Sequence, residues 1–308
     1  MTPVTVHEVG ADRADEVVSV IHAGFGARVP LDPPSTATDE TAASVAPALA
    51  EHGGLLAVDG ERPVGALLLQ PHQELLGLRR VAVHPDAQGS GVAGALVGTA
   101  ERLARRRGYD GLRLAARTEL PETIRFWEHL GYTELDRDGT ELTMAKALPV
   151  ERVADSADEA RALGEKLAAV LRAGDLVLLT GDLGAGKTTF TQGVGTGLKV
   201  RGDVTSPTFV ISRVHPSLAG GPALVHVDAY RIGGIAELDD LDLDTSLDEA
   251  VTVVEWGEGV AEGLADTRLE VTIIRARGDD PLEDDARHVR FAPVGARWIG
   301  SGLAAALA

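Results

Sequence analysis

The feature that most constrains this chain is an apolar strand, a glycine-rich loop and a helix in direct succession. The loop reads GDLGAGKT over Gly181–Thr188 and matches the pattern G-x-x-x-x-G-K-[ST] in full. An apolar run, Leu176–Thr180, leads into it, and a helical pattern from Lys187 to about Leu198 leads out. This order is typical of open α/β sheets, in which such loops lie at the carboxyl ends of parallel strands. The second half is therefore predicted to form a mainly parallel sheet flanked by helices.

The residue types of this loop suit the phosphates of a nucleotide. Glycines let successive backbone N–H groups face an anion, and the helix N-terminus adds partial positive charge. Lys187 is predicted to reach the β and γ phosphates, and the Thr188 hydroxyl to bind Mg²⁺. The remaining residues of the predicted nucleotide-binding loop are Leu183, Gly184, Ala185, Gly186 and Thr189.

Two carboxylates follow apolar runs that indicate buried parallel strands. Asp228 ends the run from Ala223, and Glu255 ends the run from Val251. Asp228 is predicted to bind Mg²⁺, and Glu255 to orient the attacking water or to support the metal. Between the loop and Asp228 lies the segment VTSPTF, 204–209, whose hydroxyl groups either sense the terminal phosphate or form a turn directed by proline.

The segments GDLGAGKTT, TSPTF, HVDAYR and VEW occur in this order at short intervals. Together they resemble the bacterial TsaE family over about residues 150–295. That family consists of small P-loop ATPases required to make threonylcarbamoyladenosine at position 37 of tRNA. Its members dock onto TsaD and TsaB subunits and do not themselves transfer the carbamoyl group. The resemblance therefore implies ATP and Mg²⁺ as cofactors, TsaD-like and TsaB-like partners, and only indirect contact with tRNA.

Carried over residue by residue, the resemblance implies a role for each matching position. Lys187, Asp228 and Glu255 would be catalytic, while Thr188, Asp228 and Glu255 would hold the metal. Ser156, at the start of the preceding helix, would lie near the adenine, and Trp256 would belong to the same site. Gly257 stands where the family often has proline. A small-molecule kinase that shares the loop is the alternative for this half.

A second glycine-rich turn, QGSGVA over Gln88–Ala93, follows a strong strand, Leu78–Val83, and opens another predicted helix. Strand, turn and helix resemble the acetyl-CoA motif of the GNAT acetyltransferases, and the resemblance covers about residues 3–147. It implies a mixed sheet with helices and acetyl-CoA as cofactor. The turn would hold the pyrophosphate through backbone N–H groups, and the strand would face the pantetheine arm. The expected contact residues are Val81, Val83, Gln88, Gly89, Ser90, Gly91, Val92 and Ala93.

Catalysis by this half is a separate question, because acetyl transfer to an amine uses a base and often an acid for the leaving thiolate. The family's usual tyrosine acid is replaced here by Trp127, while Tyr132 matches an aromatic packing position. Glu74 is either a base or an ordinary exposed side chain. The acceptor stays open, with protein N-termini as the first hypothesis. The alternative is a CoA-binding or docking module without catalysis.

Composition narrows the function classes. The chain has no cysteine, which excludes disulfides and cysteine-ligated metals, and its net charge of −18 argues against direct binding to DNA or RNA. We find neither a signal peptide nor a long apolar run, so a cytoplasmic protein without membrane contact is expected. The pattern restarts near Pro149, which predicts domains at 1–148 and 149–308. The acidic run Glu237–Asp244 is either a solvated face or a docking surface.

Overall fold

The computed structural model describes residues 4–231, 249–256, 265–275 and 286–308. It divides into two compact units, Met1–Leu148 and Pro149–Ala308. Each unit contains one seven-stranded sheet with helices, which confirms the predicted α/β fold class. Within the described ranges, no helix is long and apolar enough to cross a membrane. The acidic run 237–244 and Gly257 lie outside the described residues.

The sheet of the first unit is mixed, with the strand order β1-β2-β3-β4-β5-β7-β6. Strands β4 and β5 pair in parallel, and the other neighbours pair antiparallel. The strands are β1 (Thr5–Val9), β2 (Gly54–Asp59), β3 (Arg62–His72), β4 (Leu75–Val83), β5 (Gly111–Arg117), β6 (Thr133–Asp138) and β7 (Glu141–Ala147). The helices are α1 (Ala14–Gly26), α2 (Ala42–His52), α3 (Val92–Arg106) and α4 (Pro121–His129).

A cleft opens where β4 and β5 separate. The two strands pair through Leu78 and Leu114 and no further, although β4 continues to Val83 and β5 to Arg117. On its other side β4 carries a register shift against β3, and Arg80 takes a left-handed φ of 53°. Such a bulge bends the strand and increases its twist, which takes the end of β4 away from β5.

The sheet of the second unit has the order β10-β11-β12-β9-β13-β14-β8. Strands β11, β12, β9 and β13 form a parallel centre, and β10, β14 and β8 join antiparallel at the edges. The strands are β8 (Val150–Ala154), β9 (Leu176–Thr180), β10 (Ser212–His215), β11 (Ala223–Asp228), β12 (Ala250–Glu255), β13 (Arg268–Arg275) and β14 (Arg287–Val294). Among the residues of this unit that the structure describes, the helices are α5 (Ala157–Ala168), α6 (Lys187–Gly197) and α7 (Leu303–Ala306).

The parallel centre brings three chain segments to one edge of this sheet. Asp228 at the end of β11 lies opposite Glu255 at the end of β12, and Glu255 lies opposite Leu179 of β9. The glycine-rich loop that follows β9 therefore starts beside the two carboxylates. The carboxyl edge of an open parallel sheet is where such folds bind ligands.

Some elements differ from the sequence predictions. The sequence predictions did not include helix α2 or strands β6, β7, β8 and β10. A proline commonly marks a turn, which would place one near Pro71, but β3 runs through Pro71 and the chain turns at Gln73. Beyond Leu68, β3 has no partner strand on the β2 side, so the missing backbone N–H of Pro71 is tolerated.

Helices α5 and α6 pack backbone to backbone through glycines. A Cβ on Gly193 would lie 1.8 Å from the carbonyl oxygen of Arg161, and one on Gly164 would lie 2.2 Å from that of Phe190. Because an added methyl group would force the helices apart, Gly193→Ala is expected to lower the free energy of unfolding by about 1–3 kcal/mol. Thermal unfolding of the full chain measures this change.

The matched control for this prediction is Gly98→Ala in α3. Gly98 is also helical, but a Cβ there would meet nothing closer than the tip of Arg102 at 3.7 Å. Alanine at this position is expected to keep or raise stability by up to about 1 kcal/mol, the helix-propensity difference. Wild-type stability of Gly193→Ala would contradict the close packing.

Candidate functional site

The loop between β9 and α6 curves so that its backbone faces open space. Gly184 and Gly186 are left-handed, with φ of 79° and 106°, and a Cβ on Gly184 would meet no atom within 4 Å. A Cβ on Gly181 would lie 2.3 Å from the carbonyl oxygen of Ile273, so only glycine fits against β13. Helix α6 begins without a side-chain cap. Its first N–H groups can therefore bind an anion.

Lys187, the first residue of α6, is buried inside this loop with 5% of its surface exposed. Its Nζ donates to the carbonyl oxygens of Gly181 at 2.8 Å and Asp182 at 3.1 Å. The same Nζ lies 3.7 Å from the centre of the Trp256 ring. Burial lowers the pKa of the ammonium, and the nearby carboxylates of Glu255, Asp228 and Asp182 oppose this shift. The Lys187 ammonium therefore lies inside the loop, in contact with the loop's own backbone.

Glu255 joins the loop to the core of the sheet. It is 3% exposed, and its Oε1 accepts a hydrogen bond from Thr188 Oγ1 at 3.0 Å. The same oxygen lies 2.9 Å from Nε2 of His226, which is fully buried on β11. Because a carboxylate only accepts, His226 donates from Nε2 in this pair. The Glu255 carboxylate is thereby fixed from two sides.

Sequence reasoning missed His226 as a site residue. The signal was available, because His226 and Asp228 are two apart on a strand and so share one face of the sheet. A polar residue in an otherwise apolar buried strand, on the face of a predicted metal ligand, indicates a positioning role. His226 contacts Glu255 on the neighbouring strand, which periodicity alone does not identify.

Asp228 is tied to the hydroxyl-rich segment 204–209. Its Oδ2 accepts hydrogen bonds from Thr208 Oγ1 and, at 3.3 Å, from Ser206 Oγ, while its Oδ1 accepts from the backbone N–H of Tyr230 at 3.1 Å. Asp228 itself is 4% exposed. The structure therefore brings the predicted switch segment into contact with the predicted metal carboxylate.

The donor set at this edge fits Mg²⁺. Thr188, Asp228 and Glu255 offer oxygen atoms, which this cation prefers, and two carboxylates are a usual number beside substrate phosphates and water. In the part of the chain that the structure describes, no group of three His, Cys, Asp or Glu side chains could hold a metal without other ligands. A magnesium ion here would thus depend on phosphate oxygens to complete its coordination.

Aromatic and apolar side chains surround the loop. Trp256 has a left-handed φ of 61°, and its backbone N–H donates to the carbonyl oxygen of Leu179 at 3.1 Å. The centre of its ring lies 5.4 Å from that of Tyr230. Leu183 in the loop and Phe209 in segment 204–209 are each 87% exposed. The side chain of Leu183 therefore faces outward from the loop.

Ser156 begins α5 at the same edge of the sheet as the glycine-rich loop. Its hydroxyl accepts from the backbone N–H of Glu159 at 3.1 Å, and Glu159 Oε2 accepts from the backbone N–H of Asp155 at 2.8 Å, one residue before the cap. Ala154 at the end of β8 pairs with Arg287 of β14. A Cβ on Gly186 would lie 3.0 Å from Nε of Arg287, which places this buried guanidinium beside the glycine-rich loop. No local sequence signal marked Arg287, because its partners are distant along the chain.

The glycine turn of the first unit, Gln88–Ala93, also contains left-handed glycines. Gly89 and Gly91 have φ of 74° and 84°, and a Cβ on either would meet no atom within 4 Å. Gly91 begins α3 without a side-chain cap, so the first N–H groups of α3 are open to an anion. Ser90 Oγ donates to the carbonyl oxygen of Ala87 at 2.6 Å, and Val92 packs its side chain in the core. Unlike the loop of the second unit, this turn carries no lysine.

The cleft between β4 and β5 forms a cavity of about 370 Å³ that Val81 and Trp127 line. Val83 lies further along β4, paired with Gly65. Tyr132 is 1% exposed and packs edge-on against Trp127, and burial raises the pKa of its phenol far above the ordinary range. Tyr132 is thus a packing residue, and Glu74 is exposed in the turn between β3 and β4.

Comparisons with known proteins match the two units to two different families. The family model for threonylcarbamoyl adenosine biosynthesis protein TsaE matches residues 154–283, and the acetyltransferase (GNAT) family model matches residues 29–132. The chain is 63% identical over 139 residues to the tRNA threonylcarbamoyladenosine biosynthesis protein TsaE of Streptomyces coelicolor, covering 45% of this chain and 93% of that protein. The protein of the same name from Bacillus subtilis is 39% identical over 142 residues, covering 46% and 84%.

Among solved structures, the PaiA N-acetyltransferase from Thermoplasma acidophilum in complex with coenzyme A aligns with a TM-score of 0.43 and 14% identity. The alignment covers 47% of this chain and 99% of that one.

Proposed function

The chain belongs to the TsaE family through its second half and carries a GNAT domain in its first, and from this premise we propose that the second half hydrolyses ATP in support of tRNA threonylcarbamoyladenosine formation. The observation that carries the proposal is the convergence of Lys187, Thr188, Asp228 and Glu255 at one edge of the parallel sheet. Because tRNA is the final target, we propose the cytoplasm as the place of action.

Each residue of this edge has a proposed task. The backbone of loop 181–189 and the Lys187 ammonium would bind the phosphates, while Thr188, Asp228 and Glu255 would hold Mg²⁺. When bound, the metal supplies positive charge against the phosphate oxygens. Water adds to the γ phosphorus as the bond to the bridging oxygen breaks and ADP takes the electron pair. Glu255 orients this water or accepts its proton, and His226 holds the Glu255 carboxylate in place.

We propose that the output of hydrolysis is movement of segment 204–209. Thr208 and Ser206 contact Asp228, so loss of the γ phosphate beside that carboxylate alters their hydrogen bonds. The exposed Leu183 and Phe209 are the apolar contacts proposed for TsaD-like and TsaB-like subunits, which would bring the chain to tRNA indirectly.

Co-purification tests the partner proposal. The tagged full chain, mixed with TsaD-like and TsaB-like proteins, is expected to retain both when ATP and Mg²⁺ are present. Absence of retention at micromolar concentrations would contradict the partner assignment. Transfer of phosphate to a metabolite without these subunits would instead support the kinase alternative.

For the first half we propose binding of acetyl-CoA and transfer of its acetyl group to an amine. Backbone groups of Gln88–Ala93 hold the pyrophosphate, and those of Val81 and Val83 face the pantetheine arm. The amine nitrogen attacks the thioester carbon, the carbon–sulfur bond breaks, and the nitrogen loses a proton to a base. The thiolate takes a proton from water, because Trp127 cannot donate one; a thiol with a pKa near 8.5, as in cysteine, leaves without strong acid help.

Gly91→Val is expected to weaken coenzyme A binding by at least about tenfold, since a β-branched residue at positive φ deforms the turn that presents the N–H groups. Isothermal titration of the full chain with coenzyme A measures this. Gly60→Val is the matched control, because Gly60 has a similar φ of 62° and equally open surroundings in the β2–β3 turn. Equal affinities in the two variants would argue against the turn as the pyrophosphate site.

A further inference from the structure

The cavity between β4 and β5 has walls from several elements of the first unit. Phe25 and Arg28 from the end of α1 form one side, Ala116 on β5 and Trp127 on α4 form another, and loop 31–36 covers part of it. Its volume of about 370 Å³ is within the range of sites for small ligands. The proposed acetyl-CoA function places the pantetheine arm along Val81 in this cavity, but it does not say which acceptor the cavity takes.

Most of the charged side chains that line this cavity are arginines. Arg80 is neutralised by Glu40 at 2.9 Å, and Arg117 by Glu119. The lining includes one carboxylate, that of Glu141, and four guanidinium groups, those of Arg28, Arg79, Arg80 and Arg117. The chain as a whole has a net charge of −18, whereas the charged side chains that line this cavity are four arginines and one glutamate.

Arg28 is the cation best placed to bind a ligand. Its guanidinium carbon lies 3.8 Å from the centre of the Phe25 ring, and its Nη2 donates to the carbonyl oxygen of Val81 at 3.2 Å. Among the described residues it forms no ion pair with a carboxylate, and burial lowers the pKa of its guanidinium. A guanidinium has further N–H donors in a planar fork, which matches the two oxygens of a carboxylate.

The position of Arg28 connects this charge to the proposed chemistry. Val81 is the residue expected along the pantetheine arm, and Arg28 contacts its carbonyl oxygen inside the same cavity. We propose that Arg28 binds a carboxylate of the acetyl acceptor, so that the acceptor is an amine that carries a carboxylate, as amino acids and acidic peptides do. The inference rests on the proposed acetyl-CoA function of this unit.

Product-like ligands test this inference without turnover. The full chain, saturated with coenzyme A, is titrated calorimetrically with N-acetylglycine, with N-acetyl-L-aspartic acid α-amide and with neutral N-acetylglycinamide. At least one of the two carboxylates is expected to bind about tenfold or more tightly than the neutral amide, the effect of a charged hydrogen bond. Preference for N-acetylglycine indicates a free amino acid, and preference for the aspartyl amide indicates an acidic peptide.

Variants assign the selectivity to Arg28. Arg28→Gln is expected to remove the preference for carboxylate and Arg28→Lys to keep part of it, while Arg125→Gln on the exposed face of α4 leaves it unchanged. Equal binding of acid and amide, no binding of either carboxylate, or full selectivity in Arg28→Gln with wild-type Tm would overturn the inference. Titration of the full chain with coenzyme A alone tests the proposed acetyl-CoA function separately. The carboxylate titration is then repeated without coenzyme A.

Discussion

Lys187→Ala is expected to abolish ATP turnover by the chain in complex with TsaD-like and TsaB-like subunits, with a loss of about 10²–10³-fold or more. The ammonium is buried in the loop, and the carboxylates of Asp182, Asp228 and Glu255 surround it. Alanine removes the one lysine of the loop, whose ammonium contacts the backbone of Gly181 and Asp182. The remaining carboxylates would then repel the nucleotide phosphates.

Lys166→Ala is the control for this result. Lys166 lies on α5, is exposed, and contacts the backbone carbonyl of Ala308, so its loss removes a lysine charge without altering the loop. Phosphate release is measured for both variants with matched amounts of assembled complex. Wild-type turnover in Lys187→Ala would refute the assignment of this loop as the ATPase site.

Glu255→Gln is expected to lower ATP turnover by about 10²–10⁴-fold while nucleotide binding persists. Glutamine keeps the shape of the side chain, but it removes the negative charge that accepts from Thr188 and His226. A neutral amide neither accepts a proton from water nor binds Mg²⁺ as a carboxylate does. The rate and the affinity for nucleotide should therefore respond differently.

Glu270→Gln on β13 controls for the loss of a sheet carboxylate, because Glu270 pairs with Arg268 on its own strand. Turnover by this variant should match the wild type. A purely structural role for Glu255 would instead lower nucleotide binding, Tm and turnover together in Glu255→Gln. Full turnover in Glu255→Gln would exclude the carboxylate from the reaction.

The sequence predicted the centre of the second sheet well, because its signals are local. Strand β9 begins and ends where the apolar run does, and Asp228 and Glu255 end buried strands as predicted. The glycine pattern fixed the position of the loop between β9 and α6. These features depend on neighbouring residues in the chain, which the sequence displays directly.

Features that depend on distant residues were not predicted. The hydrogen bond from His226 to Glu255 joins two strands, and the approach of Arg287 to Gly186 depends on the antiparallel edge of the sheet. The separation of β4 from β5 follows from a bulge that leaves no mark in the apolar pattern. The charge of the cavity beside it depends on which arginines find carboxylates, and Arg28 finds none among the described residues.

The two glycine turns share a backbone conformation but differ in their side chains. Both place a left-handed glycine before an uncapped helix, at Gly91 and at Gly186. The second adds Lys187 and Thr188, with Glu255 within hydrogen-bond distance of the threonine. We infer that the first turn only holds a cofactor, whereas the second holds a phosphate that is cleaved.

The most direct test of the central claim is the amount of threonylcarbamoyladenosine formed on tRNA by TsaD-like and TsaB-like subunits with and without this chain. With ATP and a threonylcarbamoyl donor present, the wild-type chain is expected to support many rounds of modification per TsaD-like subunit. Lys187→Ala and Glu255→Gln are expected to support no more than the subunits achieve alone. Equal product with the wild-type chain, with either variant and without the chain would contradict the proposed function.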